Sequence, residues 1–230
     1  MWQNRVKRPA LPADMTCSAR KAGKASVAAS GMKCHPSSRV ISRLPDSDRL
    51  ELPFFEQPAL RLSRSLLGCV MARRVGARVL RARVVEVEAY LGPKDLASHS
   101  SKGRTPRTEV MFGPPGRAYV YFVYGMHWLF NIVCGREGAA HAVLIRAADP
   151  MDGWDARLTG PARLTSAFGI TGLHNRLDLC SGPIGFTGDP SYRPRIIRTA
   201  RIGVDYAGDW KDRPLRFIDV SNPVALKLKG

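Results

Sequence analysis

Glu86 and Glu88 stand two residues apart in the run Val85-Glu86-Val87-Glu88-Ala89-Tyr90. In a strand that spacing puts both carboxylates on one face, together with Tyr90. Two carboxylates on an otherwise apolar strand are costly unless they are solvated, ion-paired or used in chemistry. Two readings follow: an exposed strand face, or a general base with its pKa raised by apolar and like-charged neighbours. Arg146 interrupts the apolar run Leu144-Ile145-Arg146-Ala147, and such an Arg generally needs a carboxylate partner, which Glu86 or Glu88 would supply. His99, in the loop sequence Ala97-Ser98-His99-Ser100, is a lone imidazole, structural or exposed unless a site gathers around it.

Tyr119, Tyr121, Tyr124 and Trp128 surround a turn. Period 2 puts Tyr119 and Tyr121 on one face, open to core packing or to a site, whereas Tyr124-Gly125 falls at the tip, where a ring is exposed. The chain has 36 Lys and Arg against 19 Asp and Glu, a formal net charge of +17. Residues 1–50 hold ten of the basic residues and three of the acids, so the larger part of the surplus lies on residues 51–230. Charge on this scale favours a polyanionic partner, nucleic acid first and an acidic membrane surface second. In such a protein an aromatic ring at a turn is suited to wedge into a base stack.

The 230 residues suffice for one sizeable core and hardly for two. Residues 1–50, rich in Ala, Ser, Arg, Lys and Pro, read as a flexible basic extension. A targeting peptide, a DNA-binding arm and an upstream extension before Met32 are equally compatible with it. The folded part, 51–230, is expected to begin near Leu52, with a helix from Gln57-Pro58-Ala59 to about Gly68. Val79–Leu91 reads as a long strand, and 92–117 as a long functional loop. Ala118–Val123 and Trp128–Cys134 form a hairpin, Ala140–Ala147 a further strand, and Pro161–Phe168 a short helix. A last strand pair is expected near Ala200–Val204 and Leu215–Val220. The result is a single α+β domain. Five cysteines without CxxC spacing suggest neither a disulfide framework nor a zinc site. No dinucleotide, Walker, HExxH or GxSxG pattern occurs, and no apolar run approaches the roughly 18 residues of a membrane span.

In order and spacing, the blocks from Val85–Gly92 through Ala97–Ser100, Thr105–Arg107, Met111-Phe112 and Tyr119–Met126 to Asn131, Val143–Ala147, Gly160–Leu164, Arg201–Val204 and Pro214–Phe217 resemble the alkyladenine (3-methyladenine) DNA glycosylase family. The resemblance covers roughly residues 52–220. It implies a curved antiparallel sheet with surrounding helices and a projecting β-hairpin. It implies Glu88 as the base that activates water, with Arg146 and the backbone at Val204 helping to hold that water. Tyr90, His99 and Tyr121 would stack on a flipped base, and Asn131 would crowd out guanine. Tyr124 would enter the duplex, and Arg107 and Met126 would touch DNA. The partner implied is duplex DNA containing damaged purines, met by a monomer without cofactor or metal, inside the cell: the bacterial nucleoid, or the nucleus or an organelle in a eukaryote. Two rivals remain: a metal-dependent nuclease using Glu86, Glu88 and Asp95, and a non-enzymatic nucleic-acid-binding module.

Overall fold

A computed structural model describes residues 48–228. The expected extension over 1–50 therefore lies, apart from its last three residues, outside the described residues. Those three include a structural anchor. Arg49 is buried, and its guanidinium donates to the Leu179 carbonyl (2.9 and 2.7 Å) and to the Ile184 carbonyl (2.5 Å). Its atoms lie 2.6 Å from where a Cβ on residue 185 would stand, so Gly185 is the residue that admits it. The folded unit thus includes residues just before Leu52.

Two short helices, α1 (Leu52–Phe55) and α2 (Ala59–Leu66), precede the sheet. Pro58 stands immediately before α2, and Ala59, Leu62 and Leu66 bury one helical stripe. Eight strands follow among the described residues: β1 (Val70–Val75), β2 (Arg78–Tyr90), β3 (Ala118–Val123), β4 (His127–Cys134), β5 (His141–Pro150), β6 (Ile184–Thr187), β7 (Ile196–Thr199) and β8 (Arg216–Asp219). They form one antiparallel sheet in the order β3-β4-β5-β2-β1-β6, and β8 pairs with both β2 and β7. The long β2 is central. One edge pairs with β5; the other pairs with β1 along its first half and with β8 at Glu86–Glu88. Helix α3 (Pro161–Ala167) packs against β4 and β5, and α4 (Pro223–Leu226) against β2 and β5. The architecture is an α+β domain around a curled antiparallel sheet.

Strand alternation sorts the side chains. Val120, Phe130, Ile132, Val143 and Ile145 enter the main hydrophobic core with Leu62, Leu66 and Phe186. Their neighbours Tyr119, Tyr121, Asn131, Leu144 and Arg146 line a cavity on the opposite face. Burial of the first set removes apolar area from water at about 25 cal/mol per Å², and so holds the second set in place.

Three expectations change. Ala200–Val204 is not a strand; β8 pairs with β7, which ends at Thr199. The chain leaves the ladder because the Ile202 N–H is committed to Glu88, the Arg201 side chain to Asp95, and Gly203 turns at φ +75°. Strands β1, β6 and β7 were not expected, since two Arg residues in β1 and the short lengths of the others blur period 2. The loop 92–117 contains two 3-10 turns, His99–Lys102 and Glu109–Phe112. The described cysteines Cys69, Cys134 and Cys180 are free thiols. Burial pushes Cys69 up to about 12 and Cys134 well above the ordinary thiol range. Among the described residues no helix is long and apolar enough to cross a membrane.

Candidate active site

The site is built on an irregularity in the β2–β5 ladder. The register shifts on both sides of Glu86, so that Val84 faces Ala148, Glu86 faces Ala147 and Val87 faces Ile145. Val85 and Arg146 are left without opposite residues, a bulge that re-aims side chains. Val84 and Val87 therefore both enter the main core, and Val85 joins a separate cluster with Ala147 and Ile218. Arg146 is brought over both carboxylates.

Glu86 and Glu88 are 2% and 0% exposed, so neither belongs to a solvated strand face. Their partners differ. Glu86 Oε1 accepts from Arg146 Nε (3.1 Å) and Arg216 Nε (2.5 Å) and is wholly engaged in anchoring two guanidinium groups. Glu88 Oε1 accepts from the Ile202 N–H at 2.8 Å and lies 3.3 Å from Arg146 Nη1, while its Oε2 accepts from the Tyr90 hydroxyl at 3.0 Å. Removal from water raises the Glu88 pKa above the ordinary carboxylate value; Arg146, the Ile202 N–H and Tyr90 oppose this without cancelling it. Glu88 thus combines a buried charge with a proton affinity above normal.

A cavity of about 510 Å³ opens over this pair. Tyr90, Arg146 and Ile202, the three partners of Glu88, all line it, and Glu88 itself lies behind them. His99 and Tyr121 stand with ring centroids 4.5 Å apart, and Tyr119 and Tyr121 5.1 Å apart. His99 Nδ1 is 2.7 Å from the Tyr119 hydroxyl. Burial, aided by the Arg107 charge, lowers the His99 pKa to about 4, so the imidazole is neutral at pH 7. The Arg107 guanidinium lies 5.3 Å from the Tyr121 ring centroid. Asn131 is buried, and its amide donates to the Tyr119 carbonyl at 3.2 Å.

The β3–β4 hairpin turns at Tyr124 (φ 52°) and Gly125 (φ 66°), closed by the Met126 N–H to the Val123 carbonyl at 3.2 Å. Two successive positive φ values give the turn the twist that suits a hairpin. Tyr124 is 85% exposed. Tyr90, His99, Arg107, Tyr121, Tyr124, Asn131, Arg146 and Val204 thus meet around one cavity. Met126, 67% exposed, lies at the tip outside the lining.

Sequence reasoning missed the Ile202 N–H, Arg216, and the partner of Asp95. Asp95 is the third oxygen ligand of the nuclease alternative, yet it forms a buried ion pair with Arg201, 2.6 Å from Nη1. With Glu86 held by two arginines, that donor set is already neutralised, and no group of three or more His, Cys, Asp and Glu able to hold a metal ion gathers among the described residues. The signal for the Asp95 pairing is weak: an Arg between Ala200 and Ile202, 106 positions away.

An ion-paired carboxylate beneath an aromatic pocket, on a chain of net charge +17, suits an enzyme that acts on nucleic acid, and similarity gives the family. The chain belongs to the methylpurine-DNA glycosylase (MPG) family, whose profile matches residues 53–223. A relative from Myxococcus xanthus (strain DK1622), named "Putative 3-methyladenine DNA glycosylase", is 48% identical over 166 residues, 71% of this chain and 86% of the relative. Relatives of the same name from Legionella pneumophila (strain Lens) and Methanocella arvoryzae are 44% and 41% identical. They cover 78% and 76% of this chain and 98% and 94% of their own lengths.

Proposed function

We propose that the protein extrudes alkylated or deaminated purines from duplex DNA, 3-methyladenine first, with hypoxanthine and ethenoadenine as further substrates. It then hydrolyses the N-glycosidic bond and leaves an abasic site. The observation that carries this reading is Glu88, unexposed, raised in pKa and in contact with three groups that line the pocket.

Glu88 takes a proton from water as the water oxygen bonds to C1′, and the C1′–N9 electron pair leaves with the purine. 3-Methyladenine in DNA carries positive charge, so that pair neutralises the leaving base and little acid assistance is needed, whereas hypoxanthine and ethenoadenine leave from neutral nucleosides and take up a proton from water as the bond breaks. Arg146 and the backbone at Val204 help to hold the water. Tyr90, His99 and Tyr121 stack on the extruded base, and electron-rich faces favour a cationic ring. The neutral His99 fits the same task, since a protonated imidazole would repel that cation. Asn131 crowds the exocyclic amino group of guanine. Tyr124 fills the gap in the duplex, and Arg107 and Met126 contact DNA near it. Among the described residues no lysine lines the pocket, which favours water over a Schiff base as nucleophile. The protein acts as a monomer, where the cell keeps its DNA.

The test is single-turnover excision, in EDTA, from duplexes bearing each of the three lesions, with wild type and Glu88→Gln. Base release by wild type and severe loss in the variant, with DNA binding retained, is expected. Equal activity in both would remove Glu88 as the base. Tight binding with no release by either would favour the binding module, and abolition of wild-type activity by EDTA the nuclease.

A further inference from the structure

Tyr206 takes no part in the chemistry proposed above, yet it stands in the wall of the same cavity. It lies in a 3-10 turn, Asp205–Trp210, whose neighbours are fixed. Val204 and Ala207 are buried against Ala97, and the Trp210 carbonyl accepts from Arg201 at 3.4 Å. The Tyr206 hydroxyl donates to the Ala97 carbonyl at 3.3 Å, two residues before His99, and so ties the turn to the His99 wall. The ring is nevertheless 69% exposed. A tyrosine on a rigid turn, with its hydroxyl held by a carbonyl, presents its ring face as the free surface. Tyr124, on β3–β4, lines the same cavity.

We infer that Tyr206 forms the second jaw of the pocket mouth, facing Tyr124, and that the flat apolar face of its ring receives the deoxyribose of the extruded nucleotide. The inference rests on the base-extrusion reading. Tyr124 holds the gap in the duplex; Tyr206 holds the nucleotide that has left it. Because the hydroxyl is engaged by Ala97, the contact is made by the ring face rather than by a hydrogen bond to phosphate. Tyr206 is a positioning residue and sets the flipping equilibrium, leaving the glycosidic step to Glu88.

The experiment uses the full chain carrying Glu88→Gln, so that extrusion is observed without excision, and a duplex with ethenoadenine, whose fluorescence changes on stacking in the pocket. Stopped-flow traces resolve initial binding from extrusion. Adding Tyr206→Ala is expected to lower the extrusion equilibrium by about tenfold, the scale of losing roughly 50 Å² of apolar contact between ring and sugar, with the initial binding phase kept. Tyr206→Phe, which retains the ring, is expected to retain most of the extrusion. An unchanged equilibrium in Tyr206→Ala, or equal losses in Tyr206→Ala and Tyr206→Phe, would overturn the inference. If the Glu88→Gln parent itself shows no extrusion phase, the base-extrusion reading fails first and carries this inference with it. The thermal midpoint of Tyr206→Ala, expected to lie near that of the parent for so exposed a side chain, separates a lost contact from a lost fold.

Discussion

Asp95 and Arg201, 106 positions apart, form an ion pair with no solvent exposure on either side chain. Two bonds of 2.6 and 2.9 Å join them, and the remaining capacity of both is largely used. Asp95 also accepts from the Leu91 and Ala97 N–H groups, and Arg201 also donates to the Ala89 carbonyl and lies 4.8 Å from the Tyr90 ring centroid. The pair thereby pins the loop after β2 to the segment that delivers the Ile202 N–H to Glu88.

Removing one partner leaves an uncompensated buried charge. Asp95→Ala and Arg201→Ala are each expected to cost about 3–5 kcal/mol of unfolding free energy and to reduce excision. The double variant should lose much less than the sum, since neither charge is then stranded. Chemical denaturation of the four proteins measures this, and strictly additive losses would refute the coupling.

Glu86 and Glu88 should separate stability from activity. Glu88→Gln removes a buried charge while Arg146 keeps Glu86, so stability should hold or rise slightly as excision collapses. Glu86→Gln deprives Arg216 of its carboxylate and leaves Arg146 only Glu88, with an expected loss of about 3 kcal/mol. Melting and single-turnover rates on the two variants decide the matter. A strongly destabilised Glu88→Gln would contradict the assignment of roles.

The pH dependence has two opposite signs. Glu88 is raised in the folded state, so the excision rate should climb with pH through an apparent pKa above the ordinary carboxylate value of about 4.3. Its ionisation weakens the fold at neutral pH, a cost relieved as pH falls. His99 is lowered to about 4, against about 6.5 in the unfolded chain. Its contribution to stability is complete above the unfolded value and is lost as pH falls between the two. A pH–rate profile and NMR titration of His99 test both. A rate that falls with rising pH through the acid range would exclude Glu88 as a base.

Tyr124 occupies left-handed backbone at φ 52°, a conformation that costs a non-glycine residue about 1–2 kcal/mol. Tyr124→Gly should therefore leave stability unchanged or higher and weaken lesion excision at least tenfold. Loss of both together would mean that the ring supports the hairpin rather than the complex with DNA.

The sequence made several of these relationships legible. Period 2 in β3 and β4 placed Tyr119 and Tyr121 on one face, and a charged interruption in β5 pointed Arg146 at Glu86 or Glu88. The bulge at Val85 was not legible, because an extra residue in a ladder leaves apolar composition unchanged while moving Val85 out of the core face shared by Val87. Nor was the exit of the chain at Ala200, where backbone donors turn to side chains rather than to a neighbouring strand. Ala200–Val204 resembles a strand only through Ile202 and Val204, and its Ile202 N–H goes to Glu88 rather than to a neighbouring strand.

Methylating agents attack nucleophiles, and a cysteine is nucleophilic only as thiolate. Burial pushes the Cys69 thiol up to about 12, so it stays protonated at neutral pH, and Cys134 is 1% exposed. Close packing thus protects these two cysteines from alkylating electrophiles.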